Sequence, residues 1–191
     1  MSTPFQFFRS LVVIAFAATV LAACQAHTNN TLQFASIEPN TYMLDTGDRL
    51  RVIVFGQEDL SNIYAIDDAG SISMPLIGMV PARGKTTDQL EFQVASQLKN
   101  GFVRNPNVSI EIDTYRPFFI LGEVSQPGQY SYVSGMTLRE AIAIAGGVTE
   151  RGNKRRAMLV RRVNGEPVRT SINSDTPLLP GDTIEVAERL F

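Results

Sequence analysis

Residues 118–147 read FFILGEVSQPGQYSYVSGMTLREAIAIAGG, and two periodicities meet in them. The stretch opens on four consecutive apolar residues, Phe118, Phe119, Ile120 and Leu121, the pattern of a short strand buried on both faces. Gln126-Pro127-Gly128-Gln129 then reads as a type II turn. Proline presets φ at its second position and glycine admits a positive φ at its third. Beyond the turn the period lengthens: Leu138, Ala141, Ile142 and Ala145 line one face of a helix. Thr137 with Glu140 forms a capping box at its start, and Gly146-Gly147 stops it.

Downstream, residues 158–163 and 168–172 flank Asn164-Gly165, a hairpin signal. Pro180-Gly181 introduces a last strand over 183–186. Upstream, residues 50–55 (LRVIVF) form a β-branched run after Gly47-Asp48. Residues 71–76 alternate, with Ile72, Met74 and Leu76 apolar, and Pro75 puts that strand at an edge or an end. Residues 86–102 change period: Leu90, Val94 and Leu98 share a helix face behind a Thr86–Gln89 capping box, and Gly101 and Pro106 mark the end. Residues 108–113 (VSIEID) alternate again as a strand. The order is strands, helix, strand, then strands, helix, hairpin, strand. That is an α+β chain whose helices pack on small, mostly antiparallel or mixed sheets. Two units are expected, meeting near Tyr115.

An internal echo accompanies this order. Residues 44–52 and 178–186 both fit L-x-x-G-D-x-[L/I]-x-V. It reads as a recurring turn into a strand, with the aspartate bonding local backbone, and not as a repeat protein or a metal pair.

With 191 residues the chain holds one ordinary domain or two small ones, and an apolar share of 44% is ample for a core. Net charge is −2, and −3 once the first 23 residues with Arg9 are set aside. A chain this acidic is a poor general nucleic-acid ligand, because phosphate binding draws on Lys and Arg. Cys24 and His27 are each the single residue of their kind. No intramolecular disulfide can form, and no Cys/His zinc set can be assembled. A Ser-His-Asp or Cys-His catalyst would have to use His27, in a polar stretch ill suited to preorganisation.

Three constellations merit weighing as sites. Arg151, Lys154, Arg155, Arg156, Arg161 and Arg162 form the densest basic region, either a solvated hairpin face or a contact for an acidic polysaccharide or a neighbouring subunit. Asp67-Asp68 could pair as glycosidase carboxylates, but a turn before Ala69-Gly70 explains them better. Tyr42, Tyr64, Tyr115, Tyr130 and Tyr132 could stack on sugars, with core and interface packing favoured.

The amino terminus carries an address. After Arg9, residues 11–23 (LVVIAFAATVLAA) are apolar, too short to span a bilayer and suited to a secretory signal. Leu21-Ala22-Ala23-Cys24 resembles the lipobox of bacterial lipoproteins; the alternative is a secreted protein with a chance cysteine. The resemblance implies cleavage after residue 23, acylation of Cys24, a polar tether over 24–40, and, with Gln25 next, sorting to the outer membrane.

The ordered motifs resemble the Wza-type outer-membrane polysaccharide export family. The first unit, 41–115, is similar to its export domain: Tyr42, Thr46-Gly47-Asp48, the VIVFG run, Asp68-Ala69-Gly70, Met74-Pro75-Leu76-Ile77-Gly78, Gly84 with Thr86, and Asn105-Pro106-Asn107-Val108. The second, 116–190, resembles a soluble-ligand-binding β-grasp (SLBB) domain through Leu121-Gly122-Glu123-Val124, Gln126-Pro127-Gly128, Met136-Thr137-Leu138, Glu140-Ala141-Ile142 and Ala145-Gly146-Gly147. The resemblance implies a homo-oligomeric ring, anchored by lipid and facing the periplasm, that passes a polysaccharide without making or breaking a bond. It implies no cofactor, and an inner-membrane co-polymerase or chain-length regulator as partner. The chain shows one β-grasp unit and no amphipathic helix after its last strand, so a periplasmic collar working with a separate outer-membrane pore protein is expected. The rival readings are a monomeric periplasmic lipoprotein that binds a saccharide or a partner, and, with the fewest residues behind it, a polysaccharide enzyme.

Overall fold

Strict alternation in Arg49–Val54 (β1) puts Leu50, Val52 and Val54 on one buried face. The computed structural model describes residues 42–153, 156–163 and 165–189. After β1 come Asn62–Ala65 (β2), Ser71–Met74 (β3), Gly78–Pro81 (β4), helix Thr87–Lys99 (α1) and Val108–Thr114 (β5). β1 is the middle strand of an antiparallel sheet ordered β2-β1-β5, and β3 and β4 form a separate hairpin. α1 begins at the expected capping box: the Thr86 hydroxyl accepts from Gln89 N and Gln89 Oε1 accepts from Thr86 N. Leu90, Val94 and Leu98 are fully buried and join Leu50, Val52, Val54 and Ile110 in the first core.

A second core gathers Phe118, Ile120, Leu138, Ala141, Ala145, Leu159, Leu178 and Ile184. Its elements are Phe118–Gly122 (β6), Gly128–Tyr130 (β7), helix Leu138–Ile144 (α2), Arg156–Val163 (β8), Glu166–Asn173 (β9) and Thr183–Val186 (β10). They form a five-stranded mixed sheet ordered β7-β6-β10-β8-β9, in which β6 and β10 are parallel and the other neighbours antiparallel. The α+β class and the helix–strand order are as the sequence implied.

Three local expectations are revised. Phe118–Gly122 is buried on one face only: Phe118 and Ile120 are fully buried, whereas Phe119 is 39% and Leu121 44% exposed. α2 covers a single side of that sheet, so the outward residues meet solvent. Gly128 does not take a positive φ and is already the first residue of β7. The left-handed position falls instead at Gly122, φ +84, where an added Cβ would strike the carbonyl of Val186 on the parallel strand. The strand predicted over 71–76 ends at Met74, before Pro75, which cannot continue the ladder.

Candidate functional site: the junction and the basic sheet face

The two L-x-x-G-D segments fold into the same object. In each, the aspartate N–H donates to the carbonyl three residues back at 3.2 Å, Asp48 to Asp45 and Asp182 to Leu179. In each, a carboxylate oxygen accepts the return bond from the backbone N–H of that same earlier residue, 2.9 Å at Asp45 and 2.7 Å at Leu179. Gly47 and Gly181 supply the positive φ that the turn needs. Leu44 and Leu178, ahead of the turns, are buried in the first and second core. The local backbone bonding expected of the aspartates is present, and each carboxylate does more.

Asp48 and Asp182 are both buried, and each meets an arginine. Asp182 is held by Arg161 through Nε to Oδ1 at 2.8 Å and Nη2 to Oδ2 at 2.7 Å, a two-pronged pair with both partners largely out of solvent. Asp48 accepts from Arg116, through backbone N at 2.9 Å and Nη1 at 3.1 Å, and from the Tyr42 hydroxyl at 2.8 Å. Burial, followed by the Asp48 carboxylate, pushes the Tyr42 hydroxyl far above its ordinary range, so it stays a donor.

Arg116 stands at the seam of the two cores. Its Cβ lies 3.4 Å from where a Cβ on Gly47 would sit, and its Nε lies 2.8 Å from the same point on Gly181. Gly181 N donates to Pro117 O at 3.1 Å. Tyr42, Tyr115 and Tyr132 form a chain of edge-to-face rings across the seam, with centroids 5.2 and 5.3 Å apart. Tyr132 donates to Leu178 O at 3.0 Å, closing the second turn onto the chain. Tyr64 donates to Leu60 O and Tyr130 stacks on Phe118. The tyrosines are therefore committed to packing and backbone bonds.

The basic cluster is divided by the fold. Arg161 is buried against Asp182, so it does not lie on the surface with the rest. Arg151 is exposed and paired with Glu188 at 2.6 Å. Arg156 and Arg162 project from the outer face of β8 and are exposed. Lys154 and Arg155 lie outside the described residues, as do Cys24, His27 and the segments expected to be signal and tether. Sequence reasoning missed Arg169, which sits opposite Val160 on β9 and extends the same outer face. Its register could not be read without knowing where the hairpin pairs.

Asp67 accepts from Ser71 N at 2.9 Å, and Gly70 N donates to its carbonyl, the turn expected of Asp67-Asp68. Among the described residues no three His, Cys, Asp or Glu groups come together to hold a metal ion, and no helix is long and apolar enough to cross a membrane.

Comparison with known proteins matches these segments in order. A family model described as polysaccharide biosynthesis/export protein matches residues 36–113, and an SLBB domain model matches 117–170. The exopolysaccharide production protein ExoF of Rhizobium meliloti (strain 1021) is 30% identical over 159 residues, covering 77% of this chain and 37% of that protein. The polysialic acid transport protein KpsD of Escherichia coli is 30% identical over 142 residues, 73% of this chain and 25% of its own length. The EPS I polysaccharide export outer membrane protein EpsA of Ralstonia nicotianae (strain ATCC BAA-1114 / GMI1000) is 26% identical over 163 residues, with 71% and 42% covered. The matched part of this chain thus spans from a quarter to two-fifths of the length of these relatives.

Proposed function

The chain belongs to the polysaccharide biosynthesis/export proteins, a family of transport proteins and not of enzymes, and we propose that it is a subunit of an oligomeric channel or collar through which an exopolysaccharide or capsular polymer leaves the cell. The observation that carries the reading is the succession of an export domain and an SLBB domain. It is supported by relatives whose names specify exopolysaccharide production, polysialic acid transport and polysaccharide export. We take 41–115 and 116–190 as the two working units, with the seam at Tyr115 and Arg116.

The junction suits such a role. A subunit that surrounds a lumen must hold its two parts at a fixed angle, or the opening has no defined width. Arg116 bonded to the first turn, the Gly181 N–H bonded to Pro117 in the second, and three interlocked tyrosines supply that stiffness.

Acylation of Cys24 would tether the chain to the outer membrane, on its periplasmic side. Each buried methylene contributes ~0.8 kcal/mol, so several acyl chains hold firmly where one does not. The driving energy would come from an inner-membrane co-polymerase or chain-length regulator, and a separate pore protein would complete the outer-membrane passage. Arg156 and Arg162, exposed on the outer face of β8, would meet polysaccharide or a neighbouring subunit.

Deleting the gene and measuring surface and secreted polysaccharide tests the reading. Polymer should be lost from the cell exterior and return on complementation, while the Cys24→Ser chain should complement poorly. Undiminished export in the deletion strain would reject it and leave the monomeric binding lipoprotein as the better account.

A further inference from the structure

The outer face of the five-stranded sheet bears two cross-strand rows of side chains. Phe119, Thr183, Val160 and Arg169 stand side by side in register, and so do Leu121, Glu185, Met158 and Ser171. α2 packs on the opposite side, with Leu138 and Ala141 buried. Phe119 and Leu121 on β6 and Met158 on β8 are 39%, 44% and 38% exposed, apolar groups on either side of Thr183 and Glu185 of β10. Arg156, Arg162 and Arg169 border them, all exposed, and among the described residues none forms an ion pair.

The first unit offers the opposite chemistry. Residues 41–115 hold 6 basic and 10 acidic side chains, against 10 and 8 in residues 116–190, so the units carry charges of opposite sign. One acidic shoulder follows β1. Phe55 is 60% exposed, and Glu58 and Asp59 project from the 3-10 turn Glu58–Leu60 beside it. That turn is pinned: Ser61 Oγ accepts from Val54 N at 3.0 Å and donates to Gln57 O at 2.9 Å, and Leu60 is buried. An aromatic ring flanked by two carboxylates is thus held out on a stiff support.

We propose that the arginine-bordered outer face of the five-stranded sheet is a docking surface for a second copy of this chain, and that it receives the Phe55, Glu58 and Asp59 shoulder of that copy. The inference rests on the oligomeric reading above and identifies the surfaces that would build it. The contact is heterologous: each chain gives its shoulder to one neighbour and its sheet face to the other, the arrangement that closes into a ring. Phe119, Leu121 and Met158 supply apolar contact for Phe55, and the arginines and carboxylates the charged rim that sets register.

The test uses the full chain in detergent, with association followed by sedimentation velocity. One set of changes is Arg156→Glu, Arg162→Glu and Arg169→Glu; the other is Glu58→Arg and Asp59→Arg. Each set alone should weaken association on the order of a hundredfold through like-charge contact, and joining both in one chain should restore it. Recovery also shows that both surfaces remain folded. If the unaltered chain assembles and neither set disturbs it, the contact lies elsewhere; the inference falls and the collar reading stands. Loss by either set without recovery likewise overturns the pairing. Unchanged assembly with weaker retention of alginate by the sheet-face set would overturn it too, in favour of a sugar on that face. A chain that is monomeric without any change would overturn both the inference and the collar.

Discussion

Asp48 takes two hydrogen bonds from Arg116, one from its backbone N–H at 2.9 Å and one from its guanidinium at 3.1 Å. The carboxylate is fully buried beside the first core, and the arginine stands two residues ahead of Phe118 in the second. Asp48→Ala would leave the Tyr42 hydroxyl and two backbone N–H groups without their acceptor, and the guanidinium with only the Tyr42 oxygen at 2.7 Å and the Asp45 carboxylate at 3.9 Å. Removing one member of a buried ion pair costs about 3–5 kcal/mol, and the partial exposure of Arg116 puts this site at the low end. Urea denaturation followed by circular dichroism should show a loss of about 3 kcal/mol. A change under about 1 kcal/mol would mean the seam is held by the tyrosine chain alone.

The Arg161–Asp182 pair should behave differently from its separate halves. Arg161→Met or Asp182→Leu alone strands a charge in the second unit and should cost about 3–5 kcal/mol. The double substitution removes both charges and should cost much less, so the two single effects should be strongly non-additive in a double-mutant cycle. Simple addition would show that the pair is not energetically coupled.

Two glycines separate backbone strain from collision. Gly56 and Gly181 both have positive φ, +75 and +84. A Cβ on Gly56 meets nothing within 4 Å, whereas one on Gly181 comes within 2.8 Å of Arg116 Nε. Gly56→Ala should therefore cost only the left-handed penalty, about 1–2 kcal/mol. Gly181→Ala should cost more, and the excess should shrink in an Arg116→Ala background. Equal thermal midpoints for the two single variants would remove Arg116 from the second turn.

Acid should loosen the start of α2. Thr137 donates to Glu140 through its backbone N–H at 2.6 Å and through its hydroxyl, and these bonds hold the Glu140 carboxyl below its ordinary range. Because the folded form holds its proton less tightly, the stabilisation is complete above the unfolded value of ~4.3 and disappears as pH falls through the folded one. Glu140→Gln keeps an acceptor at the capping position but cannot titrate. Melting midpoints measured from pH 6 down to pH 2 should fall less steeply for that variant, and identical slopes would refute the assignment.

Much of this fold was legible because local rules and burial agree. Thr86–Gln89 and Thr137–Glu140 announced both helix starts, and both capping boxes are formed. The short strands β2, β4 and β7 were missed because three or four residues show no reliable period, and they take their pairing from longer neighbours. Phe118 to Leu121 looked doubly buried because four apolar residues in a row do not reveal how many sides of a sheet are covered. The charged site was the least readable. Arg161 and Arg162 are adjacent in sequence, yet strand alternation buries one against Asp182 and exposes the other. The meeting of the two Gly-Asp turns on Arg116 was invisible for the same reason: the echo was plain, but only tertiary folding brings its copies to one arginine.

Electron micrographs of the full chain, purified in detergent and averaged in projection, address the export account most directly. The account predicts closed particles of many subunits around a stain-filled centre wide enough for a hydrated sugar chain. A uniform population of single chains, or closed particles with a solid middle, would contradict it.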